Sequence, residues 1–306
     1  MQATLKGPVV FEGVGLHTGQ KVRAVVRPAS AEYGIWFRRL DVLSQDPLVP
    51  ALWSAVERSP LCTRIVNASG VSVSTIEHLM AALSGCGVRN SLFELDGPEV
   101  PILDGSAAPF VRGLLERGLR SQNVPTRAIQ MLAPVEVHEG EAWARLAPAD
   151  GFAMDFGIDF ADAAIGRQHK ALTLANGAFV HELSDSRTFC RQSDVDDMRA
   201  NGLALGGTLT NAVVVQGDAI LSPGGLRHGD EPVRHKMLDA EGDLALAGAP
   251  ILGRYVGHRA GHGSTNLLLR ELFRDPTNFV MVECDADIAS RLPGAGVTRA
   301  DARALH

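Results

Sequence analysis

The chain has 306 residues, enough for two domains of ordinary size. Its 45% hydrophobic and 21% charged residues are those of a globular enzyme, and a formal charge of -6 without a Lys/Arg cluster excludes a dedicated nucleic-acid binder. Four cysteines without a C-x-x-C pair argue against a disulfide framework or a thiolate zinc site and fit a reducing compartment.

The N-terminal "MQATLKGPVVFEGVG" lacks signal-peptide organisation, and no apolar run reaches the roughly 18 residues of a membrane span, so a cytoplasmic location is expected. "GVGLHTG" (13–19) reads G-x-G-x-x-x-G, but an alternating strand, "KVRAVVRP", follows it rather than a helix. A dinucleotide fingerprint needs strand, turn and then helix, so a tight hairpin with His17 at its bend is expected instead. "GIWFRRL" is a second short strand.

"STIEHLMAALSGCGV" changes period. Ile76, Leu79, Met80 and Leu83 recur at helical spacing, with Ser74 or Thr75 as the cap and Gly85 as the end. "NSLFELDG" follows as a strand. "DGSAAPFVRGLLERGL" reads as a helix capped by Ser106, with an apolar stripe of Phe110, Val111, Leu114 and Leu115 and a stop at Gly118.

Polar "RSQNVPTR" carries the expected linker, 123–127, between a first domain at 1–122 and a second at 128–285. "AIQMLAPVEVHEG", "EAWARLAP" and "FAMDFGIDF" are strand-like, and a Gly/Asp/Ser-rich stretch over about 187–222 is less regular. "EPVRHKMLDAEGDLALAG" is helix-like with Met237, Leu238 and Leu244 inward, "PILGRYVGHRA" is a strand, and "STNLLLRELFR" is a last helix. The Pro/Gly-interrupted tail, 286–306, is expected to pack loosely. The two halves rhyme: each has a sheet-forming run, a His-bearing helix, a strand and an amphipathic helix. The fold class is therefore α+β, two layered units whose His-bearing helices meet.

His235, Asp239 and Asp243 fall at successive i, i+4 positions on one helix face. An imidazole and a carboxylate so placed suit zinc, although a solvated ion pair has the same spacing. Glu77–His78 on the earlier helix could complete the set, with Gly242 expected to loosen the last turn. His262 lies in the glycine-flanked loop "GHRAGHGSTN", either simply exposed or presented as a general acid. "SRTFC" offers Arg187 and Thr188. His138, His169, His181, His228, His258 and His306 lack partners at ligand spacing and read as surface or locally hydrogen-bonded residues.

Taken together, "GVGLHTG", "LCTRIVN", "STIEHLMAAL", "EVPILDGSAAPFV", "SRTF", "LGGT", "VRHKMLDAEGDL" and "GHRAGHGSTN" resemble, in order and spacing over about residues 2–285, the bacterial UDP-3-O-acyl-N-acetylglucosamine deacetylases. That resemblance implies two α+β domains of similar topology, each a sheet with two helices, packed helix to helix around a metal. It implies zinc ligands His78, His235 and Asp239, with Fe2+ an alternative metal in the cell. Glu77 would be the general base, His262 the general acid oriented by Asp243, and Thr188 an oxyanion donor. Lys236, Phe160, Asp159, Phe189 and Leu16 would contact substrate, and the 187–222 insert would form the acyl passage.

The implied reaction removes the N-acetyl group of UDP-3-O-(3-hydroxyacyl)-N-acetylglucosamine, releasing acetate in the committed step of lipid A synthesis. The implied protein is a monomer without stable membrane insertion, though an acylated substrate allows peripheral contact. Two departures stand out. Ala142 replaces a lysine common in the family before the tryptophan of "EAWARL", so the diphosphate is expected to lean on Lys236, Arg145 or another cation. "TFCRQSDVDDM" is more polar than the usual insert. A paralogous zinc amidase with another substrate is the alternative, and a two-domain binding protein with structural histidines is a third reading.

Overall fold

The computed structural model describes residues 1–59 and 61–304; of the histidines named above, His306 lies outside them. Six α-helices are described: α1 (Glu77–Gly85), α2 (Ala108–Arg117), α3 (Gln192–Ala200), α4 (Glu231–Leu244), α5 (His262–Arg274) and α6 (Ala286–Ser290).

The first half holds a five-stranded sheet in the spatial order Val9–Val14, Lys21–Pro28, Ser91–Leu95, Ile35–Arg39, Leu48–Pro50. All its neighbours are antiparallel except Ile35–Arg39 beside Ser91–Leu95. The second half repeats this arrangement with Val135–Glu139, Ala142–Ala147, Ile251–His258, Phe152–Asp159 and Arg167–Thr173, again with one parallel pair at the equivalent place. Arg127–Met131 and Phe279–Glu283 extend this second sheet to seven strands.

Chain order matches as well. In each half four strands precede a helix, the fifth strand enters between the others, and a second helix follows. The fold is α+β, with two sheets of similar topology facing each other through their helices. Each half also carries an insertion at the same point, just before its first helix. In the first it is a small sheet of Val56–Glu57, Arg64–Val66 and Ser72–Ser74; in the second it is the sheet of Phe189–Arg191, Val213–Gln216 and Ala219–Ile220 together with α3.

α1 and α4 form the seam. Every residue of α1 is buried; most are apolar, and the polar Glu77, His78 and Ser84 all face partners in the seam. Gly242 does not loosen α4 as expected. A Cβ there would lie 2.1 Å from the Glu77 carbonyl oxygen, so the glycine lets the two backbones touch. Ser84 Oγ donates to Glu241 Oε1 across the same seam at 2.6 Å. One continuous apolar cluster runs through both halves, from Val26, Phe37 and Phe93 to Phe156, Leu238 and Tyr255.

Four other expectations are corrected. Neither Ser74 nor Thr75 caps α1. Ile76 is its N-cap without a side-chain bond, while Thr75 sits at φ 57 and donates to Glu99 Oε1 at 2.8 Å. The stretch read as a polar linker is structured at its start, because Leu119–Ser121 pairs antiparallel with Ala3–Leu5 and Gln122 N donates to Gln2 O at 3.0 Å. The irregular 187–222 stretch contains α3 and three short strands.

The tail after Cys284 packs rather than trailing. Leu292 is buried beside Ala128 and Leu252, Ala302 joins the main core, and Asp301 pairs with His181 at 3.1 Å. Its apolar residues Ile288, Ala289 and Leu292 are few, yet they recur at helical spacing on one side of a short segment that includes α6.

Candidate metal centre

α1 starts at Glu77, so its first turn delivers two polar side chains into the seam in different directions. His78 points toward α4, where His235 and Asp239 stand one turn apart. These three are 5%, 2% and 5% exposed, and their ligand atoms all lie within 4.8 Å of one another. Asp239 Oδ1 is 3.3 Å from His235 Nε2 and 3.6 Å from His78 Nε2, and the two rings meet edge to face at 5.0 Å.

His235 Nδ1 lies 3.0 Å from the Ser186 carbonyl oxygen. A proton donated there leaves Nε2 with its lone pair toward the cluster, the usual way a ligating imidazole is oriented. Burial pushes the His235 imidazole down to about 4, more than nearby Asp239 raises it, so the ring is neutral and able to ligate. Asp239 is held well below the usual carboxylate range: burial opposes this, but His235, Lys236 and the His78 contact outweigh it.

Lys236 Nζ donates to Asp239 Oδ2 at 2.8 Å. Oδ1, also buried, has no hydrogen-bond partner among the described residues. A buried carboxylate oxygen left unpaired between two imidazole nitrogens is costly by itself and well suited to a divalent cation. The donor set fits a metal.

The third member of the α4 row serves a different partner. Asp243 Oδ2 accepts from His262 Nδ1 at 2.8 Å, and its Oδ1 accepts a short hydrogen bond from Thr63 Oγ1. His262 is not a loop residue. It opens α5 directly after Gly261, and its side chain is only 14% exposed. Burial alone would lower its pKa, but the charge and hydrogen bond of Asp243, with help from Glu77 and Asp239, raise it to about 9. The group is an imidazolium at neutral pH.

Glu77 faces it, with Oε1 3.9 Å from His262 Nε2, while Oε2 accepts from Thr63 N at 3.1 Å. Burial raises the Glu77 carboxyl above its ordinary value, against the pull of His262 and His78. A carboxylate of raised basicity and a charged imidazolium thus stand beside the same cluster. That is the pairing general acid–base chemistry requires.

The cluster opens into a cavity of about 960 Å³. Leu16, Thr188, Phe189, Phe160, Lys236 and His262 all line it. Phe160 and Phe189 meet edge to face at 5.4 Å, and Phe189 lies 6.3 Å from the His235 ring. Thr188 is fixed by its backbone, which donates to Gly105 O and accepts from Val213 N. Asp159 is the exception among the substrate candidates: it is exposed and lines a side recess with Phe160, Lys236 and Arg259.

The polar residues Arg191, Gln192, Asp194 and Arg199 of the insert line the cavity alongside its apolar ones. Arg191 pairs with Asp194 at 2.6 Å and Gln192 with Asp196 at 2.8 Å, while Val195, Met198, Ala212 and Val214 face the cavity. Arg145 does not line the cavity and sits near Glu136. Arg259 does line it, held by Glu141 and set at φ 51.

Some contributors escaped sequence reasoning. Glu99 is 1% exposed and accepts from His17 N, Thr18 N, Thr18 Oγ1 and Thr75 Oγ1, so it ties the glycine hairpin to the start of α1. Thr63 holds Glu77 and Asp243 together. Each acts across a long sequence separation, and nothing in local spacing marks it. His138, His169, His181 and His228 all have nearby carboxylates as partners, as locally bonded residues should.

The family model described as UDP-3-O-acyl N-acetylglycosamine deacetylase matches residues 2–274. The chain belongs to that family. A member named UDP-3-O-acyl-N-acetylglucosamine deacetylase from Phenylobacterium zucineum is 52% identical over 275 residues, covering 90% of this chain and 94% of its own. Proteins of the same name from Shewanella pealeana and Shewanella oneidensis are 42% identical over 302 residues, covering 97% of this chain and 98% of theirs. The family match at 2–274 therefore spans the first sheet, the seam and all but the last strand of the second sheet.

Proposed function

We propose that this protein hydrolyses the N-acetyl group of UDP-3-O-(3-hydroxyacyl)-N-acetylglucosamine, releasing acetate and the free 2-amino sugar, the committed step of lipid A synthesis. The observation that carries this reading is the convergence of His78, His235 and Asp239 from two helices, with Glu77 and His262 beside them, in a chain of the deacetylase family.

His78, His235 and Asp239 would hold a zinc ion, with Fe2+ as the alternative in the cell, since imidazole and carboxylate ligands serve both. Such an ion supplies a Lewis acid that polarises the amide carbonyl and makes water a better nucleophile near neutral pH. Glu77 takes the proton of the attacking water. Its burial makes it a stronger base than an exposed carboxylate.

His262 gives its Nε2 proton to the sugar nitrogen as the amide C–N bond breaks, so the water oxygen leaves in acetate and the amine departs neutral. Asp243, fixed by Thr63, keeps that imidazole charged and aimed. The Thr188 hydroxyl assists the developing oxyanion, a contribution worth about 3 kcal/mol per donor where it is well placed. Phe160 and Phe189 pack against uracil and sugar, Asp159 borders the uracil recess, Leu16 and the insert wall the acyl passage, and Lys236 meets the phosphates.

Arg259 lines the cavity as well, so the missing cation at Ala142 does not leave it without positive charge. That weakens the case for a paralogous amidase, which rested on Ala142 alone. Among the described residues, no helix is long and apolar enough to cross a membrane. We propose a cytoplasmic monomer that meets the bilayer only peripherally.

Acetate release should be measured with UDP-3-O-acyl-N-acetylglucosamine of varied acyl length, before and after chelation and zinc repletion. Turnover that survives complete metal removal would refute the metal-dependent reading. Turnover only on a different amide would refute the substrate.

A further inference from the structure

Toward the C-terminal ends of α1 and α4, the seam opens into a second cavity of about 270 Å³ that shares no lining residue with the large one. Its wall is mostly apolar, including Met80, Leu83, Leu244 and Ile251, and Tyr33 and Trp36 border it with rings 6.4 Å apart. Two charged side chains line it, Glu241 and Arg89, of opposite sign.

Glu241 is 2% exposed and, among the described residues, is bonded by Ser84 Oγ alone. The partly buried Arg89 guanidinium donates once, to Pro293 O at 3.1 Å. Both face the same recess and no ion pair joins them; burial raises the Glu241 carboxyl to about 7, although Ser84 and the charge of Arg89 pull the other way. Opposite charges drawn into a low-dielectric seam normally close on each other, because a buried charge without a partner is costly. Here they stay apart in one recess with donors and acceptor positions to spare.

That arrangement is complementary to a molecule carrying both charges itself. We propose that this cavity binds a small zwitterion with an apolar body, an α-amino acid of leucine or phenylalanine size. Its carboxylate meets Arg89, its ammonium meets Glu241, and its side chain packs on Met80, Leu83, Leu244 and Ile251. At about 270 Å³ the cavity lies just below the usual range of drug-sized ligand sites, which suits a molecule this small. The reaction proposed above uses none of these residues, so the two readings stand or fall separately.

Full-length protein should be titrated calorimetrically with L-phenylalanine, phenethylamine and 3-phenylpropionate, with tryptophan emission followed in parallel. L-Phenylalanine should bind saturably and perturb the emission, and each single-charge analogue should bind at least about tenfold more weakly. Arg89→Met and Glu241→Gln should each weaken L-phenylalanine by about tenfold. Trp36→Phe should remove the emission change while the heat persists.

Glu241→Gln is nearly isosteric and keeps an acceptor for Ser84, so it tests the site even where Arg89→Met does not fold. Absence of saturable L-phenylalanine binding would overturn the proposal. So would equal affinity for all three probes, or affinity unchanged by Glu241→Gln.

Discussion

The two halves share a topology but not a chemistry. In the first, α1 contributes Glu77 and His78 from its first turn, and α2 contributes nothing to the metal cluster. In the second, α4 presents His235, Asp239 and Asp243 along a full face, and α5, the counterpart of α2, opens with His262. Their insertions differ in the same sense. The small first insertion supplies Thr63, which fixes Glu77 and Asp243, whereas the larger second insertion walls the cavity. One scaffold is used twice: both halves line the cavity, the second more extensively, and the His, Asp and Glu cluster lies in the seam where neither half alone completes it.

Breaking the metal cluster from either side should have the largest effect. His78→Ala in the first half, or His235→Ala or Asp239→Ala in the second, should lose bound metal and turnover together, by more than the about 10–100-fold that supporting residues are worth. Metal analysis beside the acetate assay checks this. A variant that retained both would remove its residue from the ligand set.

The acid–base pair comes next, one residue from each half. Glu77→Ala and His262→Ala should keep the metal and lose roughly 10²–10⁴-fold in turnover. In the unmodified protein the proposed mechanism needs Glu77 ionised and His262 protonated. Activity should therefore fall on the acid side as Glu77 protonates, above the usual carboxylate range, and on the alkaline side near pH 9 as His262 loses its proton. A pH–rate profile of Glu77→Ala should lack the acid limb.

Thr63→Val sharpens the comparison by removing the first half's hold on Asp243 while keeping the backbone bond to Glu77. It should cost about 10–100-fold in turnover with metal content unchanged. The smallest effect on chemistry, and one read mainly in stability, is Gly242→Ala. A methyl forced against the Glu77 carbonyl should destabilise the fold by the upper end of about 1–3 kcal/mol in denaturant titration. An unchanged midpoint would mean that the seam can part without cost.

Periodicity was enough to find most strands and the main helices, because an apolar stripe or alternation is a property of neighbours in the chain. It was enough, too, to put His235, Asp239 and Asp243 in one row. The residues alone offered Glu77–His78 as candidate partners in the other half, and the resemblance of ordered motifs turned that option into a definite ligand set. The misreadings have a common cause. Gly242 was expected to loosen the last turn and is a contact, Thr75 looked like a cap and serves Glu99, and the tail looked loose and is packed. Each takes its role from a residue remote in sequence.

Local pattern thus settled which segments become helix or strand and which polar groups share a face, since those depend on backbone geometry over a few residues. Three-dimensional packing alone decided that His78 meets Asp239, that Glu77 and His262 stand 3.9 Å apart, and that Asp239 keeps a buried oxygen unpaired. Burial and the approach of charges set those properties, and both exist only once the two helices have come together.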